Sequence, residues 1–597
     1  MRSAAVSADR PTTAQTGGLS FQGALLVALI LVVYLPCLSG SFLWDDGAMI
    51  FKNPAVTARD GLAKIWRGEG TPDYFPLTSS LFWTEWRLWG LDPRGYHAVN
   101  VLLHAAACLV LWLVLVRLHV RGAWVGALIF AVHPVCVESV AWIAEGKNTL
   151  SLLLYLTAIL TWLRFEEHPS GRRYGVALAF FLLALFGKTS VVMLPAVLLL
   201  CAWWQRGRIT RRDVVRCLPF VAMALGLGLV TMWFQYDRSM DGGAVPIPHG
   251  WARLTGAGRI VWFYLSKAVW PVRLMTVYPR FPVSGLLPDA GLAAAIALAF
   301  VMRAKPWGRA LLFALGYYVL SLAPVLGFLK MSFMTFSPVA DRFQYVALIG
   351  FAAFAGAAIS LLPRKELSVV ASIALLSALT IVQQRPYRSS EAMWARQLAL
   401  TPDSTPAPDQ YSMALLNAGK PAEAIAQIER ALLLAPDDPH LENNWGYALE
   451  RQGRFAESIG HFQIALAKGT NYAEAHCNLG SAFARLGRLD EAAGEFREAL
   501  RIKPAHPDAR IGLGEVLTKQ GHVTEALQQF LEVLRLYPEN AEAHDDLGYV
   551  MVAQGRWTDA IGQFQEALRI RPDFDSARHH LQLAAGNGAR VNAGLPQ

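Results

Sequence analysis

The sequence predicts an all-α protein in two parts, a polytopic membrane domain of about eleven helices followed by a soluble α-solenoid of helix hairpins. Three observations carry this. Apolar runs long enough to span a bilayer dominate the chain up to about residue 385. Short basic loops separate alternate runs. Beyond residue 403 a 34-residue period sets in. The 597 residues are 54% hydrophobic, with a mean hydropathy of +0.32, too apolar for an ordinary soluble protein.

The apolar runs lie near 21-40, 98-117, 122-142, 149-164, 174-188, 190-204, 214-235, 288-303, 308-329, 343-362 and 367-384. A further apolar stretch, 259-275, carries Arg259, Lys267, Pro271 and Arg273 and reads as an interfacial or re-entrant helix. Residues 1-20 are polar and expected to form a disordered cytoplasmic tail. The first run is short enough to suggest a signal peptide, but the runs behind it favour an uncleaved span.

Arg117 and Arg121; Arg164, Arg172 and Arg173; the cluster from Arg206 to Arg216; Arg303, Lys305 and Arg309; and Arg364 and Lys365 occupy alternate short loops. The positive-inside rule makes these loops cytoplasmic. The longer loops 41-97 and 236-287, rich in Trp, Tyr and Pro, then face outward. An odd number of spans puts the N-terminus inside and the repeats outside, and a bacterial inner membrane is the expected location. The same topology explains the net charge of +9 without a nucleic-acid partner. Six cysteines, none in a C-x-x-C pair and five in or beside apolar runs, give no disulfide framework or zinc site.

After a linker at 386-402, residues 403-583 repeat. Gly446, Gly480, Gly514 and Gly548 are 34 apart, as are Gly453, Gly487, Gly521 and Gly555, and Phe462, Phe496, Phe530 and Phe564. Pro436, Pro504, Pro538 and Pro572 keep the same phase, with Thr470 in the gap. The pattern resembles tetratricopeptide repeats (TPRs), about five in number. The first glycine lets the two helices of a hairpin approach, the second closes the turn, and the Phe packs between helices. Such arrays bind peptides or proteins on a concave face. The fifth and ninth positions, expected to face the groove, are Asn443/Tyr447, Cys477/Ser481, Ile511/Glu515 and Asp545/Tyr549. Asn444 and Asn478, at the sixth, match an asparagine ladder for peptide backbone, interrupted at Gly512 and Asp546; helix packing is the plainer account. Asn444, Asn478, Tyr447 and Tyr549 are the candidate partner contacts, and 584-597 is an expected disordered tail.

Candidate chemistry begins at Phe42-Leu43-Trp44-Asp45-Asp46, just past the first span, with Asn53-Pro54 following. Two carboxylates there belong in water or a polar cavity at the membrane face. Further strings are Phe75-Pro76-Leu77-Thr78-Ser79, Gly95-Tyr96-His97-Ala98-Val99-Asn100 with Leu103-His104, and a run from Phe130 through His133-Pro134 and Glu138 to Trp142. Lys188-Thr189-Ser190, Leu194-Pro195-Ala196, Trp270-Pro271, Tyr278-Pro279 and Ala340-Asp341-Arg342-Phe343-Gln344-Tyr345 complete them. In this order, ahead of TPRs, they resemble the transmembrane-and-TPR-containing (TMTC) family and its bacterial relatives, over nearly the whole chain.

That resemblance implies a GT-C-type membrane glycosyltransferase similar to protein O-mannosyltransferases. Such an enzyme takes sugar from a polyprenyl- or dolichyl-phosphate donor, with inversion, and carries an acidic motif in its first outer loop. Two strings depart from the family: Lys188-Thr189 stands where relatives commonly read Lys-Glu, and Asp341-Arg342-Phe343 replaces Glu-Arg-Tyr. The first departure removes any acidic role at Thr189.

Sugar transfer from a lipid phosphate needs a base for the acceptor hydroxyl and cations for the departing phosphate. Asp45 or Asp46 is the candidate base, and only one is expected to face substrate, because vicinal side chains diverge. Arg342 leads the candidate phosphate ligands for its planar fork, ahead of Lys188, Arg273 and Lys147; a snorkelling side chain is the bland reading of each. His133 and Glu138 are candidate assistants, with a helix-capping role the plainer one. No spacing demands a metal, and a divalent cation stays open. The alternatives are a non-enzymatic membrane scaffold, in which the Asp pair tolerates Ala, and a polysaccharide polymerase or ligase, which would hold its basic and His residues in a large late loop.

Overall fold

In lipid every backbone N–H and C=O must find its partner within the chain, and the apolar runs meet this demand as helices. The computed structural model describes residues 13–71, 73–238, 251–279, 286–328, 332–335, 337–402, 406–469 and 471–592, among which there is no strand. The chain divides into two compact units, residues 1–56 with 61–400, and residues 57–60 with 401–597.

In the first unit each expected span falls on a helix or a helix pair, but their lengths differ. Among the described residues seven helices are long and apolar enough to cross a bilayer, from Ser20–Ser39 to Lys365–Gln383. An eighth span is the pair Ala123–Ala131 and Pro134–Ala141, bent by 51°, where Pro134 offers no N–H to continue the ladder. The other three are the shorter helices Gly171–Gly187, Leu286–Val301 and Leu348–Ile359. The stretch read as interfacial forms the helix Trp251–Val269, which stops before Trp270-Pro271. Helices approach closely where side chains vanish: a Cβ on Gly356 would sit 2.4 Å from the Gly126 nitrogen.

The basic loops gather at one end of this bundle. Arg117 pairs with Glu167 at 3.6 Å and Arg216 with Glu166 at 2.8 Å, while Arg206 bridges Glu166 and Asp213. Arg309 donates to the carbonyls of Trp203 and Trp204, and Gly122 abuts Ser360. The opposite end collects the loops around Asp45, Glu145, Lys188 and Arg342.

The expected segment boundaries shift. The first helix, Thr13–Tyr34, begins inside the tail 1-20, whose residues 1–12 lie outside the described residues. Parts of loop 236-287, at 239–250 and 280–285, also lie outside them. The linker 386-402 contains the helix Ser390–Leu400, anchored by buried Trp394. The helix Asp575–Asn592 runs into the tail 584-597, leaving 593–597 outside the described residues.

In the second unit ten helices from Pro406–Asn417 to Trp557–Ile570 form five hairpins, followed by Asp575–Asn592. The punctuation works as its chemistry requires. A Cβ on Gly446, Gly514 or Gly548 would stand 2.6 Å from the ring of Phe462, Phe530 or Phe564. Gly453, Gly487, Gly521 and Gly555 hold φ between 73° and 83° at the turns, a region that favours glycine.

Candidate functional site

Just past the first span the chain makes a tight turn that separates the two aspartates. Asp46 points inward and is fully buried. Its Oδ2 accepts from the Leu43 N–H at 2.6 Å and its Oδ1 from the Ala144 N–H at 2.7 Å. Asp46 thus ties the first long loop to the start of the Ile143–Glu167 span. Burial pushes its carboxyl up to about 8, partly offset by these two donors. Asp45 is half-buried and faces a cavity of about 320 Å³. Burial lifts its carboxyl above the usual carboxylate range, while Lys147 and Arg342 pull it back.

Lys147, Lys188 and Arg342 line the same cavity, brought together by Glu145, which is 2% exposed. The Glu145 carboxylate lies 3.2 Å from Lys147 Nζ, 3.4 Å from Lys188 Nζ and 3.3 Å from Arg342 Nε. Asn148 extends the network, donating to Glu145 at 2.7 Å and accepting from Lys188 Nζ at 2.7 Å. The sequence reading did not single out Glu145. Its signal was an acid two residues before a lysine at the mouth of a span, where ionisable groups are costly unless paired.

Arg342 is less available than expected. Its Nη1 donates to Glu138 at 2.5 Å and its backbone N–H to the same carboxylate at 2.7 Å. Phe333 stacks 4.1 Å from the guanidinium carbon. With Nε on Glu145, most of the fork is committed to protein, and Arg342 serves first to organise the cavity wall. Glu138 accordingly positions Arg342.

His133 is separate from Glu138 in role. Its Nδ1 accepts from the Val135 N–H at 3.3 Å, and its Nε2 lies 2.9 Å from the Ala268 carbonyl. That is the capping role, at the bend of the broken span. Arg273 stands apart, exposed on a turn with φ of 51°, and does not line the cavity; its placement as a phosphate ligand is corrected on that ground.

Asp73 is the second residue the sequence reading missed. It lines the cavity, and its Oδ1 is buried without a hydrogen-bond partner. It sits between Pro72 and Tyr74 in the long first loop, with no motif to mark it. Among the described residues no group of three His, Cys, Asp or Glu side chains is arranged to hold a metal ion.

In the repeats the fifth positions do not face a groove. Asn443, Cys477, Ile511 and Asp545 are buried: Cys477 and Ile511 belong to the repeat core, and Asn443 and Asp545 bond to the next repeat helix through Asn478, Ser576 and His580. Asn478 donates to Asn443 at 2.9 Å and Asn444 to Asp409 at 2.7 Å, so the asparagines bond to one another and to a neighbouring helix. Tyr447 packs on the core, whereas Tyr549 is 51% exposed.

The fold and site define a multi-pass, all-helical membrane protein with a charged cavity at one end of its bundle, followed along the chain by a helical repeat array. Tetratricopeptide repeat models match residues 412–473, 443–507 and 484–548. The chain is 32% identical over 189 residues to Protein O-mannosyl-transferase Tmtc1 of Drosophila melanogaster, covering 29% of this chain and 21% of that protein. It is 32% identical over 207 residues to Protein O-mannosyl-transferase TMTC1 of Homo sapiens, covering 31% and 23%. The chain is similar to these proteins over part of its length, and it spans about a fifth of the length of the curated relatives it matches. Among solved structures, the TPR protein YrrB, described as having an unusual peptide-binding site, is 21% identical with a TM-score of 0.26 over 31% of this chain and 96% of that one.

Proposed function

We propose that this protein is a membrane glycosyltransferase of the O-mannosyltransferase kind, moving a sugar from a polyprenyl-phosphate donor to a hydroxyl of a protein acceptor. The transfer takes place at the extracytoplasmic face, and the TPR array recruits the acceptor. The observation that carries this reading is the single cavity in which half-buried Asp45 meets Lys147, Lys188 and Arg342. Asp45 takes the proton of the acceptor hydroxyl as its oxygen attacks the anomeric carbon. The bond from that carbon to the phosphate oxygen breaks on the opposite face, giving inversion, and polyprenyl phosphate leaves.

The two lysines meet the phosphate, since both are bent toward the cavity yet only 12–13% exposed, where their charge is weakly screened. Asp73, with an unsatisfied oxygen on the wall, accepts from a sugar hydroxyl. Glu145 holds the cations in register and keeps them from repelling one another. Removing 403–583 should spare binding of the lipid-linked donor and abolish transfer to protein.

The test is sugar transfer by purified protein from a polyprenyl-phosphate donor, with thermal unfolding followed alongside. Asp45→Asn should lose about 10²–10⁴-fold in rate at an unchanged unfolding midpoint, and wild-type rate should climb with pH as Asp45 ionises. Full activity in Asp45→Asn would end the mechanism and leave a scaffold in front.

A further inference from the structure

A second cavity lies at the other end of the bundle, among the helices Pro93–Arg117, Gly146–Glu167, Leu194–Arg206, Pro306–Leu322 and Leu348–Ile359. Its volume is about 530 Å³, within the range of small-molecule sites. It is distinct from the Asp45 cavity. Lys147 lines that one, while Leu156 and Ile159 of the same helix line this one, about 14–18 Å farther along at 1.5 Å per residue.

The lining has the polarity of a lipid. Its deep wall is aliphatic, with Leu111, Leu115 and Val197 buried, interrupted by the Tyr317 hydroxyl. The cavity opens sideways, because Trp307, Phe354 and Leu361 line it and are 50%, 36% and 63% exposed. Those residues face the surface that hydrocarbon would cover. The only charged or titratable lining groups near the mouth are Arg121 and His119, both exposed. The indole of Trp204 is pinned there by its bond to the Leu118 carbonyl at 2.8 Å, as tryptophans are at the headgroup level. All five basic loops gather at this end; of the acids among them, Glu166, Glu167 and Asp213 are taken by Arg206, Arg216 and Arg117, and exposed Glu366 lies 3.9 Å from Lys365.

We infer that this cavity binds one acyl chain of an anionic bilayer phospholipid, whose phosphate rests against Arg121. An aliphatic slot open to hydrocarbon selects a chain; an unpaired cation at its mouth selects an anionic head. The inference stands apart from the transfer reading and needs no catalytic residue.

The test uses the full chain in nanodiscs of phosphatidylcholine with or without phosphatidylglycerol, read by native mass spectrometry and thermal unfolding. Wild type should retain one phosphatidylglycerol and unfold at a higher midpoint when it is present. Ala310→Phe and Ala357→Phe fill the slot from half-buried wall positions, and each should lose the retained lipid and its effect on the midpoint. Arg121→Gln, at an exposed position that leaves the slot intact, should cut the preference for phosphatidylglycerol over phosphatidylcholine at least tenfold. Equal retention in the filled variants, or no lipid dependence in wild type, would overturn the site. Retention of phosphatidylcholine without preference, or of a polyprenyl lipid instead, would overturn the occupant.

Discussion

The two halves of this chain use charge in opposite ways. In the repeats, ion pairs such as Arg488–Glu491 join residues three apart on one helix, with side chains 45% and 51% exposed. Such pairs are screened by water and contribute little. In the membrane half, Arg342 and Glu138 are 5% and 1% exposed, and Glu145 binds three cations from three separate parts of the chain. Burying those groups is expensive, and hydrophobic side chains of similar volume would serve folding as well or better. The repeats are held by glycine and phenylalanine packing and wear their charge for solubility. The membrane half keeps charge where only chemistry or organisation of a site accounts for it.

Breaking that contrast is most direct at the paired aspartates. Asp45→Asn should silence transfer and spare folding, the largest effect expected on rate. Asp46→Asn should do the reverse: it keeps one backbone acceptor but turns an NH₂ toward the other donor, so the unfolding midpoint should fall while any folded fraction retains transfer. Measuring rate per folded molecule separates the two. If both substitutions lowered only stability, the cavity would be structural.

Glu145→Gln comes next. It leaves Lys147, Lys188 and Arg342 facing one another without their shared anion, and breaking a buried pair typically costs about 3–5 kcal/mol. The expected result is a large drop in unfolding midpoint in nanodiscs, together with lost donor binding. An unchanged midpoint would mean that water already screens the cluster, and the contrast between the halves would weaken.

Much of this organisation was legible before the structure. Repeat boundaries were readable because glycine and phenylalanine at fixed spacing have one mechanical use, and the structure puts Gly514 against Phe530 as that use demands. Spans were readable as apolar runs, although Leu348–Ile359, at 12 residues, is too short to cross unaided. The divergence of Asp45 and Asp46 followed from backbone geometry, but which one turned inward did not. Hidden altogether was the pairing of Glu138 with Arg342 across 204 residues, since nothing local marks a contact made only by packing. Asp73 was hidden for the same reason. Arg273 misled because a cation beside an apolar run reads alike whether it faces a cavity or solvent.

On the repeat side, Gly514→Val should press a side chain into the Phe530 ring, which a Cβ alone would already meet at 2.6 Å. Overpacking of this kind costs about 1–3 kcal/mol. Hydrogen exchange should rise across the helices Pro507–Lys519 and Val523–Leu536, with donor binding untouched. A loss of donor binding would show that the halves are energetically joined rather than separate in role.

The smallest effect sharpens the comparison most, because it concerns a place where the repeats imitate the membrane half. Burial pushes the Asp546 carboxyl up to about 8, reinforced by Glu515, Asp545 and Glu542 nearby. In the unfolded chain the same group titrates near ~3.9. Between those values the folded state holds a proton that the unfolded state has released, so stability falls as pH rises from about 4 to about 8, then levels off. Asp546→Asn keeps the neutral shape at every pH. It should flatten that slope and slow hydrogen exchange in the helix Ala541–Ala553 at pH 8 relative to wild type. At pH 4 the two proteins should match, since both are uncharged at this position when folded. An equal slope in wild type and variant would show that Asp546 is solvated as the exposed ion pairs of the repeats are, and the contrast with the membrane half would stand without this exception.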